Sequence, residues 1–165
     1  MSEVADKVLE DEEDTQKDKF LTFSLGTEVY GIEIKFVTEI IGMQSVTQIP
    51  DLPEYIKGII NLRGKIIPVV DVRLRFKKAY REYNDRTCIV VVDITGMALG
   101  LIVDAVEEVL TIIEQDIVLP PQLEHGSYHQ RFIKGIGKVG KDVKLILDSD
   151  RLLSDSEING LEQVC

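Results

Sequence analysis

From Phe20 onward, apolar and polar side chains follow one another with a period close to two, the spacing of a strand with one buried face. In FLTFSLG, Leu21, Phe23 and Leu25 alternate with Thr22 and Ser24. After Gly26 and Thr27 the alternation resumes through YGIEIK, so the pattern predicts two half-buried strands joined by a tight turn. A third strand is predicted over residues 36–43, where Val37, Ile40 and Ile41 fail to keep a single alternation: either the strand bends, or it presents apolar side chains on two faces. IPDLP then reads as a loop and residues 54–57 as at most one helical turn. Residues 56–71, IKGIINLRGKIIPVVD, read as a β-hairpin whose polar tip carries Arg63, with Gly58 and Gly64 as its structural turn residues. Asp71 fits an N-cap for a short helix over residues 72–77, with Arg73, Arg75, Lys77 and Lys78 facing water. Residues 81–86 form a polar linker, after which TCIVVVDITG predicts a strand buried on both faces.

The second half of the chain repeats the first. At a shift of 69, YGIEIKFVTEII falls on LGLIVDAVEEVL and FLTFSLGT on IVVVDITG; at a shift of 77, Ile56-Lys57-Gly58-Ile59 falls on Ile133-Lys134-Gly135-Ile136, and Asp71 on Asp148. The difference of 8 fits an insertion in the loop LPPQLEHGSYHQRF. Four ordered matches with one insertion predict an internal duplication. Each half holds about five short strands and almost no helical period, the pattern of a small closed barrel, so the fold class is all-β. The first barrel is placed at about residues 19–80 and the second at about 86–148, with apolar faces pressed together because units of this size are marginal alone. Whether each barrel keeps or exchanges its first strand is left open. Ser154-Asp155-Ser156-Glu157 opens a last amphipathic helix, about 154–163, with Ile158 and Leu161 on its apolar side.

Composition narrows the function classes. Residues 1–19 carry eight acidic against three basic side chains, half of the chain's formal charge of −10, and residues 1–18 are expected to form a mobile tail. The same net charge repels nucleic-acid phosphate and anionic lipid. No apolar run approaches the roughly 20 residues that cross a bilayer, and the N-terminus lacks a secretory pattern, so a cytoplasmic location without direct membrane insertion is expected. Cys88 in an apolar strand and Cys165 at the end are read as reduced thiols.

Catalytic chemistry finds few footholds. His125 and His129, with Glu124 beside them, have a spacing that could bind a metal on a helix, which leaves a metal-dependent enzyme as the alternative; Gly126 and the polar surroundings favour a loop. Gly64-Lys65 lacks the spacing and the following Ser or Thr of a phosphate-binding loop. Asp71 and Asp148 stand at repeat-equivalent strand ends, where caps explain them better than an acid/base pair. No enzyme activity and no cofactor are expected. Surface of the kind partners use remains. Val37 and Ile40, with their repeat equivalents Val106 and Val109, would be core if taken singly; as a group they could line a groove for an apolar helix face. Arg63 is not needed by a turn that already has Gly64, and it lines up with Gly140 in the second half, so it is a candidate contact to an acidic group.

FLTFSLGTEVYGIEI, IPDLPEYIKGIINLRGKIIPVVDVRLRF and KLILDSDRLL resemble the CheW family of chemotaxis adaptors, over about residues 19–160. The regulatory domain of the kinase CheA and the adaptor half of CheV-like proteins share the architecture, but no phosphotransfer, kinase or receiver segment is present. The resemblance implies two SH3-like five-stranded barrels bridging the cytoplasmic hairpin of a chemoreceptor to the CheA regulatory domain, at membrane-associated receptor arrays in which CheW–CheW contacts also occur. It implies receptor contact through Val37, Glu39, Ile40, Arg63 and Val106, and kinase contact through Val46, Ile49, Lys57 and Ile66. It implies no ligand, metal or phosphorylation site.

Overall fold

The structure is a computed structural model that describes residues 16–120 and 131–164. Its strands are β1 (Lys19–Leu25), β2 (Glu28–Glu33), β3 (Val37–Gly42), β4 (Ile56–Leu62), β5 (Lys65–Asp71), β6 (Cys88–Ile94), β7 (Met97–Val103), β8 (Ala105–Thr111), β9 (Ile117–Val118), β10 (Ile133–Val139) and β11 (Asp142–Leu147). The helices α1 (Val72–Arg75) and α2 (Asp155–Val164) accompany the strands among the described residues, together with short 3-10 turns. One sheet runs β8-β1-β2-β11-β10-β9 and the other β3-β6-β7-β5-β4.

Neither sheet is drawn from one half of the chain. The β1–β2 hairpin joins the strands of the second half, pairing antiparallel with β8 and parallel with β11, while the β6–β7 hairpin joins those of the first, pairing with β3 and β5. The two halves therefore exchange their leading hairpins. The registers obey both repeat shifts: Gly31 lies opposite Ile146 and Gly100 opposite Val69, so that 100 − 31 = 69 and 146 − 69 = 77. Even the irregularities repeat. β1 slips against β8 between Leu21 and Phe23, and β3 against β6 between Val37 and Glu39.

Alternation along the exchanged strands explains how the core divides. Leu21, Phe23 and Leu25 of β1 and Val90, Val92 and Ile94 of β6 enter one shared cluster between the sheets, whereas Ile89 and Val91 turn into a second cluster with Ile60, Ile67, Val69 and Ile102. A smaller third cluster of Phe20, Ile112 and Ile146 lies on the other side of β1 and β2. β6 is thus buried on both faces, as the continuous run IVVV requires.

Asp71 caps α1 by accepting a hydrogen bond from the Leu74 amide at 3.3 Å, and Asp148 caps the equivalent 3-10 turn from the Asp150 amide at 3.2 Å. α1 is shorter than the helix expected over 72–77, and two of its basic residues do not face water. Arg73 donates to Asp104 at 2.7 and 2.8 Å. Arg75 is only 6% exposed: its guanidinium lies 4.3 Å from the Tyr55 ring and 4.8 Å from the Phe132 ring, and Nε donates to the Leu152 carbonyl at 2.6 Å. The reason is long range, since the segment leading into α2 folds over α1 and supplies acceptors that local sequence does not show. α2 begins with a reciprocal capping box, the Ser154 amide bonding Glu157 at 2.9 Å and the Glu157 amide bonding Ser154 Oγ at 3.2 Å, and it buries Leu161.

Gly58 is not a turn residue. It sits within β4 at φ +144, where the register slips between Ile56 and Gly58, and a Cβ there would lie 2.1 Å from the Thr47 carbonyl oxygen. The bridge between Thr47 and Ile59, made by two backbone hydrogen bonds of 2.9 Å, needs that close approach. Gly64 does serve the hairpin turn, with φ +86, and its amide donates to Asn61 Oδ1 at 2.8 Å. The expected tail over residues 1–18 lies mostly outside the described residues, as do Glu124, His125 and His129.

Candidate interaction surface

The slip in β3 resolves its broken alternation. Val37 lies opposite Val92 and Ile40 opposite Val90, and both partners belong to the cluster between the sheets. Paired residues point to the same face, so one extra residue in β3 puts Val37 and Ile40 on the inter-sheet side although they are three apart. The slip in β8 does the same for Val106 opposite Phe23 and Val109 opposite Leu21. Val37 and Val106 are half-buried against the shared core, while Ile40 and Val109 are 44% and 53% exposed. β3 and β8 each stand at an edge of their sheet. Two edge strands therefore present equivalent apolar strips beside the seam between the sheets.

Glu39 and Arg63 form a second feature. Glu39 lies opposite Val91, on the other face of β3. The tip of the β4–β5 hairpin brings Arg63 to it, and Arg63 Nη2 donates to Glu39 Oε2 in an ion pair. Arg63 has φ +50 and precedes Gly64 at φ +86, the two positive values of a type I′ hairpin turn. Its side chain is 70% exposed, so the fork keeps donors toward solvent while Glu39 holds it in place. Sequence reasoning marked both residues but not their pairing, which joins strands 24 positions apart.

The four residues marked for kinase contact lie around β4 and β5. Ile66 is on the outer face, opposite Asn61 and 36% exposed. Lys57 holds its ammonium 5.4 Å from the centroid of Tyr80. Val46 packs partly against the Ile60 cluster and would touch a Cβ at Gly58, so it serves the core as well as the surface. Ile49 is half-buried in the loop that follows β3.

One network escaped sequence reasoning. Asp104, at the corner between β7 and β8, accepts from Arg73, from Arg81 at 3.2 Å and from the Gly26 amide at 2.7 Å. Burial raises its pKa, but these hydrogen bonds and the arginine charges outweigh it and hold the carboxyl below its ordinary range. Burial likewise pushes the Tyr83 phenol up, reinforced by the hydrogen bond it donates to Asp71 at 2.7 Å. Both networks fasten the linker and α1 to the sheets. Among the described residues, no group of three or more His, Cys, Asp or Glu side chains could hold a metal ion.

The profile of the CheW-like domain matches residues 19–157. The chain belongs to the CheW family. It is 34% identical over 151 residues to the chemotaxis protein CheW of Klebsiella aerogenes, covering 92% of this chain and 90% of that one. It is 35% identical over 147 residues to CheW of Treponema pallidum, covering 87% and 86%. The crystal structure of the scaffolding protein TtCheW from Thermoanaerobacter tengcongensis superposes with a TM-score of 0.75 at 42% identity, over 82% of this chain and 91% of that one. CheW proteins are scaffold or adaptor proteins of chemotaxis and not enzymes, and this CheW-family chain shares that class and their mostly-β fold. No helix among its described residues is long and apolar enough to cross a membrane.

Proposed function

We propose that this adaptor couples the cytoplasmic tips of chemoreceptors to the histidine kinase CheA, at receptor arrays and in a cytoplasmic location. The supporting observation is the pair of apolar strips, Val37 with Ile40 and Val106 with Val109, on the inter-sheet side of two edge strands. A receptor helical hairpin presents an apolar stripe of the kind such a groove accepts. Glu39 and Arg63 stand at the rim of the β3 wall, where Arg63 can take a receptor carboxylate. The kinase regulatory domain docks on the end of the first-half strands, through Val46, Ile49, Lys57 and Ile66. CheW–CheW contacts add to the array, and no metal, cofactor or nucleic acid takes part.

The adaptor does no chemistry. It holds the receptor helix and the kinase domain in fixed relation, so that a receptor movement shifts the kinase between states for which the contacts differ in free energy. Contacts that are individually modest gain strength from repetition in the array. The test is a pull-down with a soluble receptor cytoplasmic fragment and with CheA, separately and together. Retention of each alone and both together supports the reading; retention of neither at tens of micromolar contradicts it.

A further inference from the structure

A strand slip takes backbone groups out of the regular ladder, and each of the slips in β3 and β8 is bridged by a threonine hydroxyl. Between β1 and β8 the register passes from Leu21 opposite Val109 to Phe23 opposite Val106, so Thr22 faces two residues, Glu107 and Glu108. The Thr22 hydroxyl donates to the Glu108 carbonyl at 2.8 Å and accepts from the Glu108 amide at 3.1 Å. At 1% exposure, Thr22 is out of reach of any partner. Between β3 and β6 the roles are reversed. Glu39 pairs directly with Val91, the equivalent of Thr22 at the shift of 69, and the hydroxyl comes from the slipped strand, Thr38 donating to the Val91 carbonyl at 3.0 Å.

The place of the slip decides which β8 side chains turn to the inter-sheet side. Val106 and Val109 share that side because the extra residue is absorbed opposite Thr22. Moved one residue toward the start of β1, the slip would pair Leu21 with Glu108 and set a carboxylate where Val109 now stands. β8 ends its sheet, so β1 is the strand that fixes its register. We infer that Thr22 is a positioning residue of the β8 wall: by holding both backbone groups of Glu108 it pins the slip, and so keeps Val106 and Val109 on one side for a receptor helix. The inference rests on the receptor reading above and extends it to a side chain that cannot touch the receptor.

The test uses the full chain with Thr22→Val, which keeps the shape and removes the hydroxyl, and Thr22→Ser, which keeps the hydroxyl. Valine already fills the equivalent place in the other copy as Val91, so the fold accommodates it. Amide hydrogen exchange followed by NMR reads the slip, and calorimetric titration with a soluble chemoreceptor cytoplasmic fragment reads the wall. In Thr22→Val the Glu108 amide should exchange about ten-fold faster, and affinity for the fragment should fall about five-fold. Thr22→Ser should restore both to within about two-fold of the parent chain. Parent-like exchange at Glu108 in the valine variant overturns the pinning of the slip. Faster exchange with parent-like affinity overturns the positioning role. Ile40→Asp, on the β3 wall, separates the inference from the reading beneath it. If Ile40→Asp weakens binding and Thr22→Val does not, the positioning role is overturned and the receptor site stands. If Ile40→Asp binds as the parent, the receptor reading falls and the inference with it.

Discussion

The two copies of the duplicated unit keep the same backbone and differ in what fills it. On the sheet of β3 to β7 the inner cluster holds Ile60, Ile67, Val69, Ile89, Val91 and Ile102. At the repeat shifts these become Gly137, Lys144, Ile146, Phe20, Thr22 and Glu33, of which only Phe20 and Ile146 remain in a cluster, joined by Ile112. Ile112 partly occupies the space that Gly137 leaves, since a Cβ on Gly137 would lie 3.0 Å from Ile112 Cδ1. Conserved between the copies are the register, the slips in β3 and β8 and the capping aspartates, all of which the backbone demands. Apolar volume on one inner face and the charge at one hairpin tip are free to diverge, and there the two copies differ.

Backbone demand gives the largest expected effect. Gly58→Ala places a Cβ against the Thr47 carbonyl at φ +144, so about 4 kcal/mol of stability should be lost in chemical denaturation. The equivalent Gly135→Ala meets the Ile117 side chain at 2.7 Å, which can give way, and should cost about 1–2 kcal/mol. Equal costs would refute the distinction between the two glycines. Filling comes next. Ile67→Ala should cost about 3 kcal/mol, whereas Lys144→Ala at the equivalent place should stay within about 0.5 kcal/mol.

The Asp104 network sharpens the comparison further, because its repeat equivalent is Lys35, whose side chain is 60% exposed and whose partner is Glu33. The Asp104 carboxyl is held below its unfolded value, so its contribution is present above the unfolded pKa and is lost as pH falls through the folded one. Asp104→Asn should therefore cost about 1–2 kcal/mol at neutral pH and progressively less below about pH 4. A deficit that stays constant to pH 3 would exclude a charge effect. The tip is expected to bear little on stability. Arg63→Gly makes the first turn resemble the second and removes a side chain from φ +50, so it should leave stability within about 1 kcal/mol, while receptor binding weakens.

Much of this was legible in the chain. Period-two alternation gave most strands, and the two shifts, 69 and 77, recur as cross-strand pairs at Gly31–Ile146 and Gly100–Val69. The broken alternation of Val37, Ile40 and Ile41 marked the slip that turns Val37 and Ile40 to the inter-sheet side. The failures share a cause, namely partners distant in sequence. Arg75 has the composition of a solvated helix residue until Leu152 and Phe132 arrive, and Gly58 looks like a turn until Thr47 is seen against it. Hairpin exchange is invisible to alternation, because β1 and β6 carry the same pattern whichever half they join.

The central claim is that the strips on β3 and β8 form the receptor site, and Ile40 tests it most directly because its 44% exposure separates binding from folding. Calorimetric titration of Ile40→Asp with a soluble receptor cytoplasmic fragment should show affinity reduced at least about ten-fold, with an unfolding midpoint close to that of the parent chain. Parent-like affinity in this folded variant would contradict the account.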